Sequence, residues 1–288
     1  AVYGAKRSAI REFSKLAGKT PGCIALTLGE PDFATPQPVC DAVPEALAAG
    51  QTHYIDNNGT YALREAVARF EREKNGMDYT PDEVILTAGA TEALFVALFG
   101  ILNPGDEVIV PTPAFVLYEQ IIGLCRGTFV PYDTAPDGFQ LDAGRLRPLI
   151  TPRTKAILLF RDLRQQILLV QSFSKPYAMT GWRMGYLLSD ASVKERLELL
   201  HQFMLVSTPA PFQTACIRAL GCDVTPMLET YRARRSYVLQ RLRDMQLPVC
   251  TPDGAFYVFP SIREFGLTSA EFCTRMIREA GLAATPGS

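Results

Sequence analysis

The chain has 288 residues, 48% hydrophobic and 20% charged, enough for one large domain or two modest ones with a sizeable core. A net charge of -1 and a pI near 6.2 exclude the basic excess that binding a phosphate backbone needs, which argues against a nucleic-acid partner. The longest apolar stretch, Ala93 to Leu102, is too short for a membrane span and contains Gly100, and Ala1 to Ile10 lacks the apolar core of an export signal, so the expectation is a cytoplasmic protein with no membrane partner.

Ser8 to Leu16 has helical character, and Gly18 to Gly22 breaks it before a short strand at Ile24 to Leu28. A turn-rich loop, Gly29-Glu30-Pro31-Asp32-Phe33, leads to a helix over Val39 to Ala49 that Gly50 stops. Tyr54 to Gly59 contains an Asn-Asn-Gly turn, after which Leu63, Ala66, Val67 and Phe70 trace the buried face of another helix. From Val84 strands and helices alternate: Val84 to Ala88, helix Thr91 to Leu102, Glu107 to Val110, helix Phe115 to Cys125, then Thr128 to Tyr132. That alternation points to α/β architecture. Ala156 to Phe160 and Ile167 to Val170 read as further strands, Gly254 to Pro260 as another, and Phe272, Met276, Ile277 and Ala280 line a helix.

Seven scattered cysteines without a C-x-x-C indicate reduced thiols, not a zinc site. His53 and His201 are the only histidines and lie far apart in sequence, which speaks against a His-rich metal site and a Ser-His-Asp triad. Lysine offers another proton carrier. In Ser172-Phe173-Ser174-Lys175, Lys175 follows a strand end among small hydroxyls, and Arg183 lies eight residues on between Gly181 and Gly185, glycines that let backbone pass close to something bulky or anionic. An ordinary lysine has on the order of one amine in a thousand neutral at pH 7; desolvation or the nearby Arg183 lowers its pKa and makes a nucleophile suited to a Schiff base.

Upstream, Gly89, Ala90 and Thr91 fall where a strand runs into a helix, so their backbone N–H groups sit at the positive end of a helix dipole, suited to phosphate. No Gly-Lys-Ser/Thr follows, so this is not a P-loop. Phe115 comes just after a strand, at the level where ligands lie in open α/β sheets. A phosphate cradle beside an imine-forming lysine specifies pyridoxal phosphate.

Ser172 to Gly185 spells S-x-S-K-x-x-x-x-x-G-x-R-x-G, and on these residues the chain, from Ile24 to Ser288, resembles the fold-type I, class I/II pyridoxal-phosphate aminotransferases. The resemblance implies a large cofactor-binding domain over 39–242, with a mostly parallel sheet flanked by helices, and a smaller α+β domain from both chain ends, 1–38 and 243–288. It implies that Lys175 is the Schiff-base lysine and proton shuttle, that Ser172, Arg183 and the amides of Gly89, Ala90 and Thr91 hold the cofactor phosphate, and that Phe115 stacks on the pyridine. It further implies that Tyr54 reaches the phosphate of a neighbouring subunit in a homodimer, and that Gly29 approaches the substrate carboxylate. The activity expected is ping-pong transfer of an amino group from an amino acid to a 2-oxo acid. Related lyases share the lysine motif, so carbon-sulfur β-elimination is the alternative chemistry.

Three family elements are missing. No Asn-Pro-x-Gly follows Ala156 to Phe160, no aspartate has a tyrosine three positions later, and the chain stops at Ser288, short of the arginine that would clamp a substrate carboxylate. Only Arg161 to Gln166 separate the strands Ala156 to Phe160 and Ile167 to Val170, which fits a hairpin, whereas a parallel crossover needs about a dozen residues or more. With the signature intact on both sides, the favoured expectation is a segment missing between Phe160 and about Leu163. That reading expects an intact mass above the 31.7 kDa of these residues; a mass equal to it favours a degenerate cofactor-binding or regulatory module.

Overall fold

The computed structural model describes residues 9–158 and 167–287; the expectations placed on 159–166, the end of a strand at Phe160 and the gap near Leu163, lie outside them. In chain order the main elements are α1 (Ala9–Gly18), β1 (Ile24–Ala25), α2 (Gln37–Ala48), α3 (Tyr61–Asn75), β2 (Val84–Thr87), α4 (Ala90–Ile101), β3 (Glu107–Thr112), α5 (Leu117–Leu124) and β4 (Thr128–Asp133). There follow α6 (Ala143–Leu146), β5 (Thr154–Ile157), β6 (Leu169–Ser172), β7 (Gly185–Leu188), α7 (Ala191–Leu205), α8 (Ala210–Leu220), α9 (Thr225–Asp244), α10 (Ser269–Ala280) and β8 (Leu282–Ala283). The α/β reading is borne out. The described residues cluster into two compact units, one formed by 30–103 and 167–224, the other by 9–29, 104–158 and 225–287.

The first unit is built on a sheet of order β2-β7-β6, in which β7 runs antiparallel to both neighbours. Every residue of β2 and β7 is buried. Those continuous apolar runs mark strands covered on both faces. On one face Leu86, Leu188, Met184 and Phe173 pack with Val39, Leu63 and Val67 from α2 and α3; on the other Ile85 and Leu187 meet Ala93, Val96 and Leu197 from α4 and α7. Behind β7, Tyr186 donates to the fully buried Glu71 at 2.6 Å, and burial pushes the phenol far above its ordinary pKa, which keeps the proton on the donor. Helix α3 ends where Gly76 takes a left-handed φ of 69°, a conformation without penalty only for glycine.

The second unit carries an all-parallel sheet of order β4-β3-β5. Val108, Ile109 and Val110 of β3 are buried together with Ile121 and Ile122 of α5. A parallel two-stranded pairing of β1 with β8 accompanies a cluster of Ala17, Ile277 and Ala283. Helix α10 opens on a capping box in which Thr268 accepts from Glu271 N–H and Glu271 accepts from Thr268 N–H.

Two expectations are corrected. The strand read over Ile24 to Leu28 is only Ile24–Ala25; Ile24, Leu26 and Leu28 are each more than 60% exposed, so no core holds them extended. Residues 254–260 do not form a strand: Ala255 turns left-handed at φ 59°, and only an isolated bridge, Val249 to Pro260, is made there. Leu187→Ala removes a fully buried side chain from the centre of the first sheet and is expected to cost about 2–5 kcal/mol, measured as a lowered urea midpoint with unchanged slope.

Candidate active site

Strand register assembles the site. Thr87, the last residue of β2, pairs with Gly185, the first of β7, and Gly185 pairs with Ser172, the last of β6. One edge of the sheet therefore releases three chain segments together: the turn into α4, the lysine loop after Ser172, and the Arg183 segment before Gly185. Gly185 is where this closeness demands glycine. A Cβ there would stand 2.8 Å from Ala90 N, from Gly89 C and from Gln171 O, all backbone atoms that cannot rotate away. Gly181 meets nothing within 4 Å, so the close approach expected at both glycines occurs at Gly185 alone.

Gly89 precedes α4 with φ 81°, and a Cβ on it would lie 2.6 Å from Arg183 Nη2. The guanidinium thus fills the space beside the start of the helix. Gly89 N–H is engaged with Thr87 O at 2.8 Å, so Gly89 contributes shape, while Ala90 and Thr91, as the first two residues of α4, have N–H groups without intrahelical partners. No side chain caps this terminus at its N-cap residue. Guanidinium and helix-start amides are donors of the kind an anion takes.

Lys175 lies on a turn whose apolar neighbours Phe173, Tyr177 and Met179 are buried. Met179 N–H donates to Ser174 O at 2.9 Å, Phe173 N–H to Met184 O at 3.1 Å, and Thr35 hydroxyl to Ala178 O at 2.7 Å. Ser172 Oγ accepts from Ser174 N–H at 3.0 Å, which folds the start of the loop back on its strand. Ala178 and Arg183 both have positive φ, 51° and 55°, unusual for residues with a Cβ. The lysine pKa is lowered: loss of water around the amine is the main cause, Arg183 adds to it, and Glu30 opposes it. Glu30 is held by the Thr180 hydroxyl, and Arg183 Nη1 donates to Thr180 O at 3.0 Å, so one threonine fixes both charges that act on the amine.

The remaining expected residues stand as follows. Tyr54 is 87% exposed, ahead of the Asn57-Asn58-Gly59 turn. Phe115 and Gly29 belong to the other unit. Phe115 is exposed between β3 and α5, edge-on to Tyr118, and starts before the helix it was expected to open. Gly29 faces Tyr257, whose hydroxyl would lie 1.8 Å from a Cβ. All seven cysteines are free, and no cluster of three or more metal-ligating side chains occurs among the described residues. Sequence reasoning missed Glu30 and Thr180 beside the lysine, and the 3.1 Å contact of Glu92 with the buried His201. Glu92, an acid in the first turn of α4, was the one with a local signal.

Comparison with known proteins decides the family. The model of the class I and II aminotransferases matches residues 21–160 and 159–288. The chain belongs to that family. A probable N-acetyl-LL-diaminopimelate aminotransferase of Bacillus subtilis is 34% identical over 333 residues, covering 98% of this chain and 85% of the relative. An aspartate aminotransferase of Pyrococcus abyssi is 31% identical over 98% of this chain and 87% of its own length. Among solved structures, the aspartate aminotransferase of Thermus thermophilus with maleate superposes with a TM-score of 0.92 at 31% identity, covering 99% of this chain and 90% of that one. These likenesses bear out the fold-type I reading, the transaminase class and the pyridoxal-phosphate cofactor.

The two pieces of the family match meet at residues 159–160, and an alignment of 333 positions against 288 residues leaves at least 45 positions of the B. subtilis aminotransferase without a counterpart. The residues present fit the phosphate and aldehyde ends of pyridoxal phosphate, because the missing Cβ atoms of Gly89 and Gly185 let a guanidinium, the first amides of α4 and an amine of lowered pKa come together as the donor set. The described amine makes a direct prediction. Labelling of Lys175 by an amine-reactive reagent, followed against pH by mass spectrometry, has its midpoint below the ordinary lysine value near 10.4. Glu30→Gln moves that midpoint further down and Arg183→Gln moves it up, since the first removes a charge that favours the ammonium form and the second one that disfavours it.

Proposed function

We propose that this aminotransferase moves an amino group from an amino acid to a 2-oxo acid in two half-reactions, with Lys175 as its essential base. The observation that carries this is the shared strand-end level of Thr87, Gly185 and Ser172, which gathers Lys175, Arg183 and the N-terminus of α4 into one unit. Bound there, pyridoxal phosphate supplies an electron sink for the negative charge left when the Cα proton departs. Arg183, the Ala90 and Thr91 amides and the Ser172 hydroxyl hold its phosphate, with Gly89 giving the clearance. Lys175, in the neutral form favoured by desolvation and Arg183, takes the proton from Cα and returns it one carbon away. Thr180 and Glu30 tune how much of that amine is neutral.

Phe115 as stacking ring, Gly29 at the substrate carboxylate, and the division into 39–242 and the two chain ends belong to the same proposal. So does a homodimer in which Tyr54 serves the neighbouring site. The 87% exposure of Tyr54 supports it, since the ring is left open to a second copy of the chain. No helix among the described residues is long and apolar enough to cross a membrane; a cytoplasmic location remains part of the proposal.

Titration with pyridoxal phosphate is expected to give wild type a visible absorbance band that Lys175→Ala lacks. Glutamate is then expected to form from 2-oxoglutarate and an amino donor. Pyruvate released from cystathionine without glutamate formation assigns the chain to β-elimination instead, and a band that survives in Lys175→Ala removes the lysine from its role.

A further inference from the structure

Glu92 sits in the third position of α4, on the turn that should receive a dianionic phosphate, and an ionised carboxylate there would repel it. The carboxylate does not stand alone. One oxygen accepts from Ala88 N–H, and the other lies 3.1 Å from Nδ1 of His201, a fully buried residue of α7. On the far side of the ring, His201 Nε2 lies 2.9 Å from Asn57 O. A carbonyl oxygen only accepts, so Nε2 must carry a proton. Between Nδ1 and Glu92 a second proton is then required, whether it resides on the ring or on the carboxyl, because two lone pairs facing each other would make no bond. Either placement leaves the pair with a net charge of zero. The other charged groups around it are accounted for: Lys194 is 2.6 Å from Glu198, which accepts from Asn58 Nδ2, and Asp56 accepts from Asn58 N–H.

We propose that His201 is a positioning residue for the cofactor phosphate: it neutralises Glu92, so that Glu92 can orient the Ala88–Gly89 turn through the Ala88 N–H without placing a negative charge at the anion seat. This rests on the reading of the α4 N-terminus as that seat. The pair also joins three segments, since Asn58 O accepts from Leu86 N–H at 2.9 Å next to the Asn57 carbonyl that His201 engages.

The test compares equilibrium affinity for pyridoxal phosphate with that for pyridoxal, which lacks the phosphate, by absorbance titration of the purified full chain. Wild type is expected to prefer the phosphorylated form, and Arg183→Gln to lose part of that preference. His201→Gln, which leaves an unneutralised carboxylate, is expected to lower affinity for pyridoxal phosphate by about tenfold with little change for pyridoxal. Glu92→Gln keeps both hydrogen bonds without charge and stays within about twofold of wild type. Glu92→Gln placed in the His201→Gln background restores the preference, a rescue that a purely structural histidine would not permit. Wild-type phosphate preference with no loss in His201→Gln, or a tenfold loss in Glu92→Gln, or no rescue in the double variant, overturns the role of the pair and leaves the seat intact. Absence of any preference in wild type overturns the seat and this inference with it.

Discussion

The structure around the lysine depends on one close backbone approach. At Gly185 the first residue of β7 passes within reach of Gln171 in β6 and of the Gly89–Ala90 turn, and the space for a side chain does not exist. Two relations in the site follow from that contact. It fixes the sheet level at which Ser172 ends, and hence where the turn bearing Lys175 begins. It brings Arg183, two residues upstream, against the start of α4. A hydrophobic core on both faces of β7 holds the strand in that register, because sliding by one residue would send Leu187 and Leu188 to the wrong faces.

Electrostatic work is divided between two threonine- and histidine-centred arrangements. Thr180 contacts Glu30 with its hydroxyl and Arg183 with its carbonyl, so the opposing charges on the lysine amine are set by the same short segment. In the first turn of α4, the Glu92–His201 pair is sheltered from water, with His201 fully buried. A buried donor without its acceptor costs about 1–3 kcal/mol, and here the chain of contacts from Ala88 to Asn57 leaves neither ring nitrogen without a partner.

Much of this was legible in the sequence, and unevenly. Lysine, arginine and glycine at fixed spacing after a strand carry chemistry that few other patterns share, so Lys175, Arg183 and Gly185 could be read directly. Gly89 was read for its amide and acts through its φ and its missing Cβ, which a sequence does not distinguish. Residues that act through tertiary packing were out of reach: Glu92 and His201 are more than one hundred positions apart, and only the packing of α4 on α7 joins them. The strand at Gly185–Leu188 lacks alternation because it is covered on both faces. Conversely, Gly254 to Pro260 has a strand's composition, and Ala255 breaks it through a backbone angle that composition does not encode.

The burial of β7 on both faces ties the site to the cooperative core. Leu187 and Leu188 hold the strand whose first residue, Gly185, pairs with both Thr87 and Ser172. The segments that carry Lys175, Arg183 and the start of α4 therefore lose their alignment together when that sheet opens, and local fraying elsewhere leaves them in place.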